Sequence, residues 1–389
     1  MRLLHTSDWH LGRSFHREGM LDHQALFLDH LLEVVRAERV DVVVVAGDIY
    51  DRALPAVDAV RLADDAFARL ASSRARVVVT SGNHDSAQRL GFGSRLIDAA
   101  GVFIRTDVGT VGTPVLLDDQ HGPVAVYGLP YLEPETVRER WSLTTASHEA
   151  ALTEAMSRVH ADLSARPTGT RSVVLAHAFV AGSRPSDSER DISVGGISSV
   201  PTTLFDRIDY TALGHLHGRH TLGEGLRYSG SPLAYSFSEA DHVKGSWLVD
   251  LGGEGFGAAE FVDAPVPRPL ARLRGTLEAL VTDPRHGRHE GSYVQATLTD
   301  ATRPTQAMER LRVRFPHTLV LAFEPTQSGG ETAPRAVTGG RTDHEIALDF
   351  MADLRGTPAT DAESRLLRAA VDACCDDPDL DPVRVGGAG

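Results

Sequence analysis

Five short stretches hold side chains that bind metal ions and move protons: Asp8-Trp9-His10, Gly47-Asp48 with Asp51 three residues on, Gly82-Asn83-His84-Asp85, His177, and Gly214-His215-Leu216-His217. Asp8 and His10 are two residues apart, a spacing that in a strand turns both side chains to one face, and His215 and His217 repeat it. With Asp48, Asn83 and His177 the candidate donors number seven. Mixed carboxylate, amide and imidazole donors suit octahedral Mn²⁺ or Fe²⁺ better than a closed tetrahedral zinc site. Seven are too many for one ion and fit two ions that share a bridge.

Taken singly, each stretch has an ordinary reading: a turn histidine, Asp48 as a helix cap, His215 as a satisfied core residue, Trp9 as packing. Their joint occurrence, each at the end of an apolar run, points instead to one site. Ligands in open α/β sheets gather at the carboxyl ends of strands.

The elements that must position these residues are legible as alternating apolar runs and amphipathic helical stretches from residue 1 to about 265, the pattern of a layered α/β domain. Arg2 to Thr6 reads as the first strand. A helix follows from about Met20 to Arg39, with Leu21, Ala25, Leu28, Leu31, Leu32 and Val35 on one face. Asp41 to Ala46 and Arg76 to Thr80 read as buried parallel strands. Further strands are expected at Val124 to Leu129, Ser172 to Ala176, Tyr210 to Leu213, Leu226 to Ser229 and Ser246 to Asp250. The shorter elements of the second half predict a second sheet packed on the first, a two-sheet α/β sandwich.

Three prolines between Pro265 and Pro269 mark a linker, which divides the chain into a domain 1–265 and a small α+β module 266–326. Residues 266–320 carry nine arginines against five acids. Gly329-Gly330 to Gly339-Gly340 reads as a flexible link. Residues 341–380 read as a hairpin of two helices, the first with Ile346, Ala347, Phe350, Met351 and Leu354, the second with Leu366, Leu367, Ala370, Val371 and Cys374 in a stripe. Thr360 and Glu363 have capping-box spacing. Such a hairpin must cover its apolar stripe on its own body, the commoner case, or on another chain.

The net charge is −14, so any contact with nucleic acid must be local, metal-assisted or shared with a partner. Of 39 basic residues only Lys244 is a lysine. Cys374 and Cys375 are adjacent, which excludes a cysteine-based zinc site. No apolar run is long enough to span a bilayer, and Met1 to His5 leads directly into a strand, so a cytoplasmic location without membrane attachment is expected.

The motifs resemble those of the calcineurin-like metallophosphoesterase superfamily and, within it, the bacterial SbcD family of nuclease subunits. The phrases that carry the resemblance are His5-Thr6-Ser7-Asp8-Trp9-His10-Leu11-Gly12, Gly47-Asp48-Ile49-Tyr50-Asp51, Leu175-Ala176-His177-Ala178-Phe179, Ser193-Val194-Gly195-Gly196 and Tyr228 to Phe237. The resemblance implies two divalent metal ions, Mn²⁺ above all. Asp8, His10 and His217 would hold the first ion, and Asn83, His177 and His215 the second, with Asp48 between them. Such a pair clamps both oxygens of an in-line displacement at phosphorus. His84 would protonate the leaving oxygen or stabilise the transition state, and Asp85 would orient His84. Archaeal and eukaryotic relatives have a histidine where this chain has Asp51.

It further implies a 3′ to 5′ exonuclease on double-stranded DNA and an endonuclease on single strands and hairpins, serving DNA repair, replication and recombination. The α+β module would be a capping domain that contacts DNA. The hairpin would dock on an SbcC-type coiled-coil ATPase, reversing the own-body reading. A homodimer through helices within 55–70 and 88–99, inside a heterotetramer, is also implied. The alternatives are a stand-alone phosphodiesterase or phosphatase acting on nucleotides or phosphoproteins, and a non-catalytic scaffold.

Overall fold

The run Val42–Ala46 is buried along its whole length, and a strand of β-branched residues covered on both faces belongs in the middle of a sheet. In the computed structural model, which describes residues 1–192, 199–326, 342–355 and 357–375, it pairs in parallel with Arg2–Thr6 on one side and Arg76–Thr80 on the other. Val102–Arg105 extends this sheet beyond Arg76–Thr80, and Gly245–Gly252 with Gly255–Asp263 extends it antiparallel beyond Arg2–Thr6. A second six-stranded sheet runs in the order His220–Thr221, Leu226–Tyr228, Tyr210–Gly214, Arg171–His177, Gly122–Gly128, Val115–Asp119.

The sheets face each other across a core that includes Leu3, Val44, Val78, Val126, Leu175 and Ala212. Helices Leu21–Ala37 and Val57–Ala71 cover the outer face of the first sheet through Leu28, Leu31, Ala63 and Leu70. Helices Pro134–Trp141 and His148–Ser164 cover the second through Val137, Leu152 and Met156. Each fully buried Leu or Val of this kind contributes roughly 1.5–3 kcal/mol. The sandwich is therefore a stiff frame from which strand ends project.

After Ala264 the chain forms a parallel sheet of Leu270–Gly275, Tyr293–Leu298 and Thr318–Phe323. Helices Leu277–Thr282 and Ala307–Arg314 close its core around Leu273, Leu280, Val294, Leu311 and Phe315. Tyr293 joins Phe15, Met20, Leu233 and Phe237 in a second apolar cluster, with the Phe15 and Tyr293 rings 5.6 Å apart. Residues 1–324 form one compact unit. Five of the nine arginines of 266–320 are already in ion pairs, Arg272, Arg274, Arg285, Arg310 and Arg314. The local positive excess is thus less free than its count implies.

The second unit starts at Pro325 and contains helices Asp343–Arg355 and Asp361–Cys375. Both open on a capping box: Glu345 accepts from the Thr342 N–H, and Glu363 from the Thr360 N–H. Arg355 pairs with Glu363 at 2.8 Å and His344 Nε2 meets the Ser364 carbonyl at 2.9 Å, tying the helices together. Phe350 and Leu366 remain 65% and 72% exposed. The Ser193-Val194-Gly195-Gly196 phrase, the glycine link and the chain beyond residue 375 lie outside the described residues. Among the described residues no helix is long and apolar enough to cross a membrane.

Candidate metal centre

Five strand ends deliver the candidate donors. Arg2–Thr6 leads to Asp8 and His10, Val42–Ala46 to Asp48, Arg76–Thr80 to Asn83, Arg171–His177 ends on His177, and Tyr210–Gly214 leads to His215 and His217. The first three strands belong to one sheet and the last two to the other, so the site spans the end of the sandwich. Strand alternation is not what aligns the pairs, contrary to the expectation from spacing. The strands stop short of them, and Asp8, His10, Asp48 and His215 have φ of 54°, 45°, 50° and 103°. Backbone in this region costs about 1–3 kcal/mol per residue and persists only when neighbours enforce it. Here the enforcement is a ladder between two loops, with Asp8 N–H donating to Gly47 O at 3.1 Å and His10 N–H to Asp48 O at 3.0 Å. Gly47, itself at φ 88°, and Gly82 are forced: a Cβ would strike the His177 ring at the first and the Asp48 carboxylate at the second.

The potential ligand atoms converge in three overlapping groups, one of which joins His84 to His10 and Asp48. Asp8, His10 and His217 bring ligand atoms within 4.8 Å of one another, and so do Asp8, Asp48 and His177. Asp48 Oδ2 lies 3.6 Å from His10 Nε2 and 3.5 Å from His177 Nε2. Asn83 Oδ1 is 2.9 Å from His177 Nε2. His215 stands at the margin: its main-chain N–H donates to Asp8 Oδ1 at 3.0 Å, and its ring packs edge-on against His177 at 5.4 Å.

Burial dominates the electrostatics. It pushes the Asp8 carboxyl up to about 7 and Asp48 well above the usual carboxylate range. The same burial drives His10 and His215 well below the ordinary imidazole value and His177 down to about 3. Imidazoles that resist protonation beside carboxyls that resist ionisation are relieved together by cations. The geometry fits such ions as well: His10 Nε2 and His217 Nε2 face each other at 3.0 Å. Two donors at right angles on one ion with bonds of about 2.1 Å lie about 3.0 Å apart. His10 Nδ1 and Asn83 Nδ2 are buried with no hydrogen-bond partner.

His84 sits beside this cluster, its main-chain N–H donating to Asp48 Oδ1 at 2.8 Å and its ring 4.6 Å from that of His10. Burial lowers its pKa to about 4. Asp85 does not orient it, which corrects the expectation. The Asp85 carboxylate is taken up by the main-chain N–H groups of Ile49, Tyr50 and Gly82, at 3.1, 2.9 and 3.0 Å. It staples the Asp48 loop to the Asn83 loop, while His84 Nδ1 meets the Asp51 carbonyl at 2.8 Å. The Asp51 carboxylate lies 3.8 Å from His10 Nδ1 and 3.7 Å from Arg13 Nε.

Several contributors escaped sequence reasoning. Ser7 Oγ donates to Asp8 Oδ2 at 2.5 Å, and Gln24 Nε2 donates to the His10 carbonyl at 2.8 Å. Ser188, Glu189, Glu239 and Lys244 surround His217. Only Lys244 carried a signal, as the lone lysine.

The chain is similar to TT1561 of Thermus thermophilus, at 14% identity over 67% of this chain and 98% of that one, with a TM-score of 0.40. It is similar also to a dimetal phosphatase from Danio rerio, at 15% identity over 68% and 99%, with a TM-score of 0.38. The C-terminal profile SbcD_C, described as type 5 capsule protein repressor C-terminal domain, matches residues 266–355. The calcineurin-like phosphoesterase profile matches residues 1–219, more than half of the chain and the part that carries all seven candidate donors. With its Asp and His side chains clustered as a divalent-metal hydrolase requires, the chain belongs to the calcineurin-like phosphoesterase family.

Proposed function

We propose that this chain is a Mn²⁺-dependent DNA nuclease subunit. It acts 3′ to 5′ on double-stranded ends and as an endonuclease on single strands and hairpins, with an SMC-like, SbcC-type ATPase, in cytoplasmic DNA repair, replication and recombination. The observation that carries the chemistry is the position of Asp48 Oδ2, within 3.6 Å of His10 Nε2 on one side and His177 Nε2 on the other. The reading as a nuclease rather than a small-molecule esterase rests on the SbcD_C match over 266–355.

Asp8, His10 and His217 would hold one ion, Asn83, His177 and His215 the other, and Asp48 both. When bound, such ions lower the pKa of the attacking water and neutralise the phosphate. The rest falls to the protein. The loop ladder fixes Asp8 and Asp48 against each other, and Asp85 holds the Asn83 turn in register. His84, tied at Nδ1, presents Nε2 to the leaving oxygen. A cleft of about 860 Å³ opens from Asn83 past Tyr131, Gln88, Arg95 and Arg140, giving room for more than one nucleotide. The cap sheet supplies further DNA contacts, and the hairpin with its exposed Phe350 and Leu366 is the docking element for the ATPase.

The test is hydrolysis of end-labelled duplex DNA and of bis-nitrophenyl phosphate by the full chain, with Mn²⁺ and with chelator. Mn²⁺-dependent shortening of the duplex is expected. Turnover of the small ester alone would replace this reading with a stand-alone phosphodiesterase. Absence of metal-dependent hydrolysis, even with the ATPase added, would overturn it.

A further inference from the structure

Lys244 is the single lysine among 39 basic residues, and it is buried beside His217. Its three N–H groups are all engaged: with the Glu239 carboxylate, with the His217 carbonyl at 2.8 Å and with the Ser231 hydroxyl at 3.0 Å. A compact ammonium can aim three donors independently at three separate segments. A guanidinium confines its donors to one plane, so arginine cannot make this set.

The contacts continue to the ring of His217. Glu239, ionised between these donors, can only accept. Lys244 donates to its Oε2, and the Ser188 hydroxyl donates to its Oε1. A hydroxyl has one proton. With that proton committed to Glu239, Ser188 Oγ can only accept from His217 Nδ1, which lies 2.5 Å away. His217 Nδ1 therefore carries the hydrogen, and Nε2 keeps its lone pair, facing His10 Nε2 at 3.0 Å. Glu189 accepts the His217 main-chain N–H at 2.7 Å, so the residue is gripped at N–H, carbonyl and ring.

We propose that Lys244, acting through Glu239 and Ser188, is a positioning residue that locks His217 in the one tautomer able to bind the first divalent ion. The proposal rests on the reading of His217 as a metal ligand.

The experiment is calorimetric titration of Mn²⁺ into the full chain, for the wild type and for Ser188→Ala, Ser188→Thr, Lys244→Arg and His217→Ala. Ser188→Ala should weaken one Mn²⁺ site on the order of 10- to 100-fold and leave the other unchanged. Ser188→Thr, which keeps the hydroxyl, should restore it. Lys244→Arg should weaken the same site despite its retained charge. Nitrogen NMR of the histidines should show a protonated Nδ1 on His217 in the metal-free wild type and a mixture of tautomers in Ser188→Ala. Loss of a site in His217→Ala with wild-type affinity in Ser188→Ala would overturn this proposal alone. No loss in either variant would overturn the ligand reading beneath it as well.

Discussion

His84 Nδ1 lies 2.8 Å from the main-chain carbonyl of Asp51, so the imidazole is aimed by backbone and its second nitrogen is left for substrate. Replacing His84 by alanine should lower DNA cleavage by about 10²- to 10⁴-fold with bound metal unchanged. Asp51→Asn keeps the carbonyl and should cost about tenfold or less on the same scale. Single-turnover rates together with metal content per chain check both. An equal loss in the two variants would mean that the Asp51 carboxylate, not its carbonyl, is what matters.

Asp85 has a different role. Alanine there leaves three N–H groups without their partner, those of Ile49, Tyr50 and Gly82. The expected loss of stability is roughly 2–4 kcal/mol by urea unfolding, accompanied by weaker metal binding as the two loops part. Unchanged unfolding would show that the staple is dispensable.

Protonation sets the pH response of the metal-free protein. Asp8 is raised from 3.8 to about 7, so between those values the folded chain binds more protons than the unfolded one. Its contribution to stability is then lost as pH rises through about 4 to 7. Metal binding expels the proton, so the gain in Tm from Mn²⁺ should grow between about pH 5.5 and about pH 7.5. Thermal melts with and without Mn²⁺ measure this, and a gain that stays flat with pH contradicts it.

Leu54, Val57, Phe92 and Leu96 are 72%, 65%, 86% and 83% exposed, in and beside the two segments expected to form the homodimer. Covering such side chains is a reason for two copies to associate. The wild type should run as a dimer in light-scattering chromatography, and the double variant Phe92→Glu, Leu96→Glu as a folded monomer. A dimer that survives both substitutions would move the interface elsewhere.

Truncation after Gly340 removes both terminal helices and leaves the metal centre intact. Co-purification with the proposed ATPase partner should disappear while Mn²⁺ content is unchanged. Persistent co-purification would relocate the docking element.

The site was legible where it depended on runs of apolar residues. Val42–Ala46 and Arg76–Thr80 announce themselves as buried strands, and Asp48 and Asn83 follow at their ends. Edge strands were not legible: Gly255–Asp263 is glycine-containing and mostly unburied, and it is a strand because Gly245–Gly252 offers it a partner. The left-handed turns at Asp8 and His10 were also hidden, because they are imposed by hydrogen bonds from a loop some forty residues away. The role of Asp85 is hidden as well, because it stands next to His84 in sequence while its partners Ile49 and Tyr50 are 36 and 35 residues distant. Ser188 and Glu239, 51 residues apart, are ordinary polar residues until folding joins them.

His10 and His217, whose ring nitrogens meet at 3.0 Å, are 207 positions apart in the chain. A polypeptide made from its N-terminus carries Asp8 and His10 through 207 further residues of synthesis before the His217 that His10 faces exists. The newborn protein is therefore unarmed, and a product broken off short of His217 lacks the partner that His10 faces.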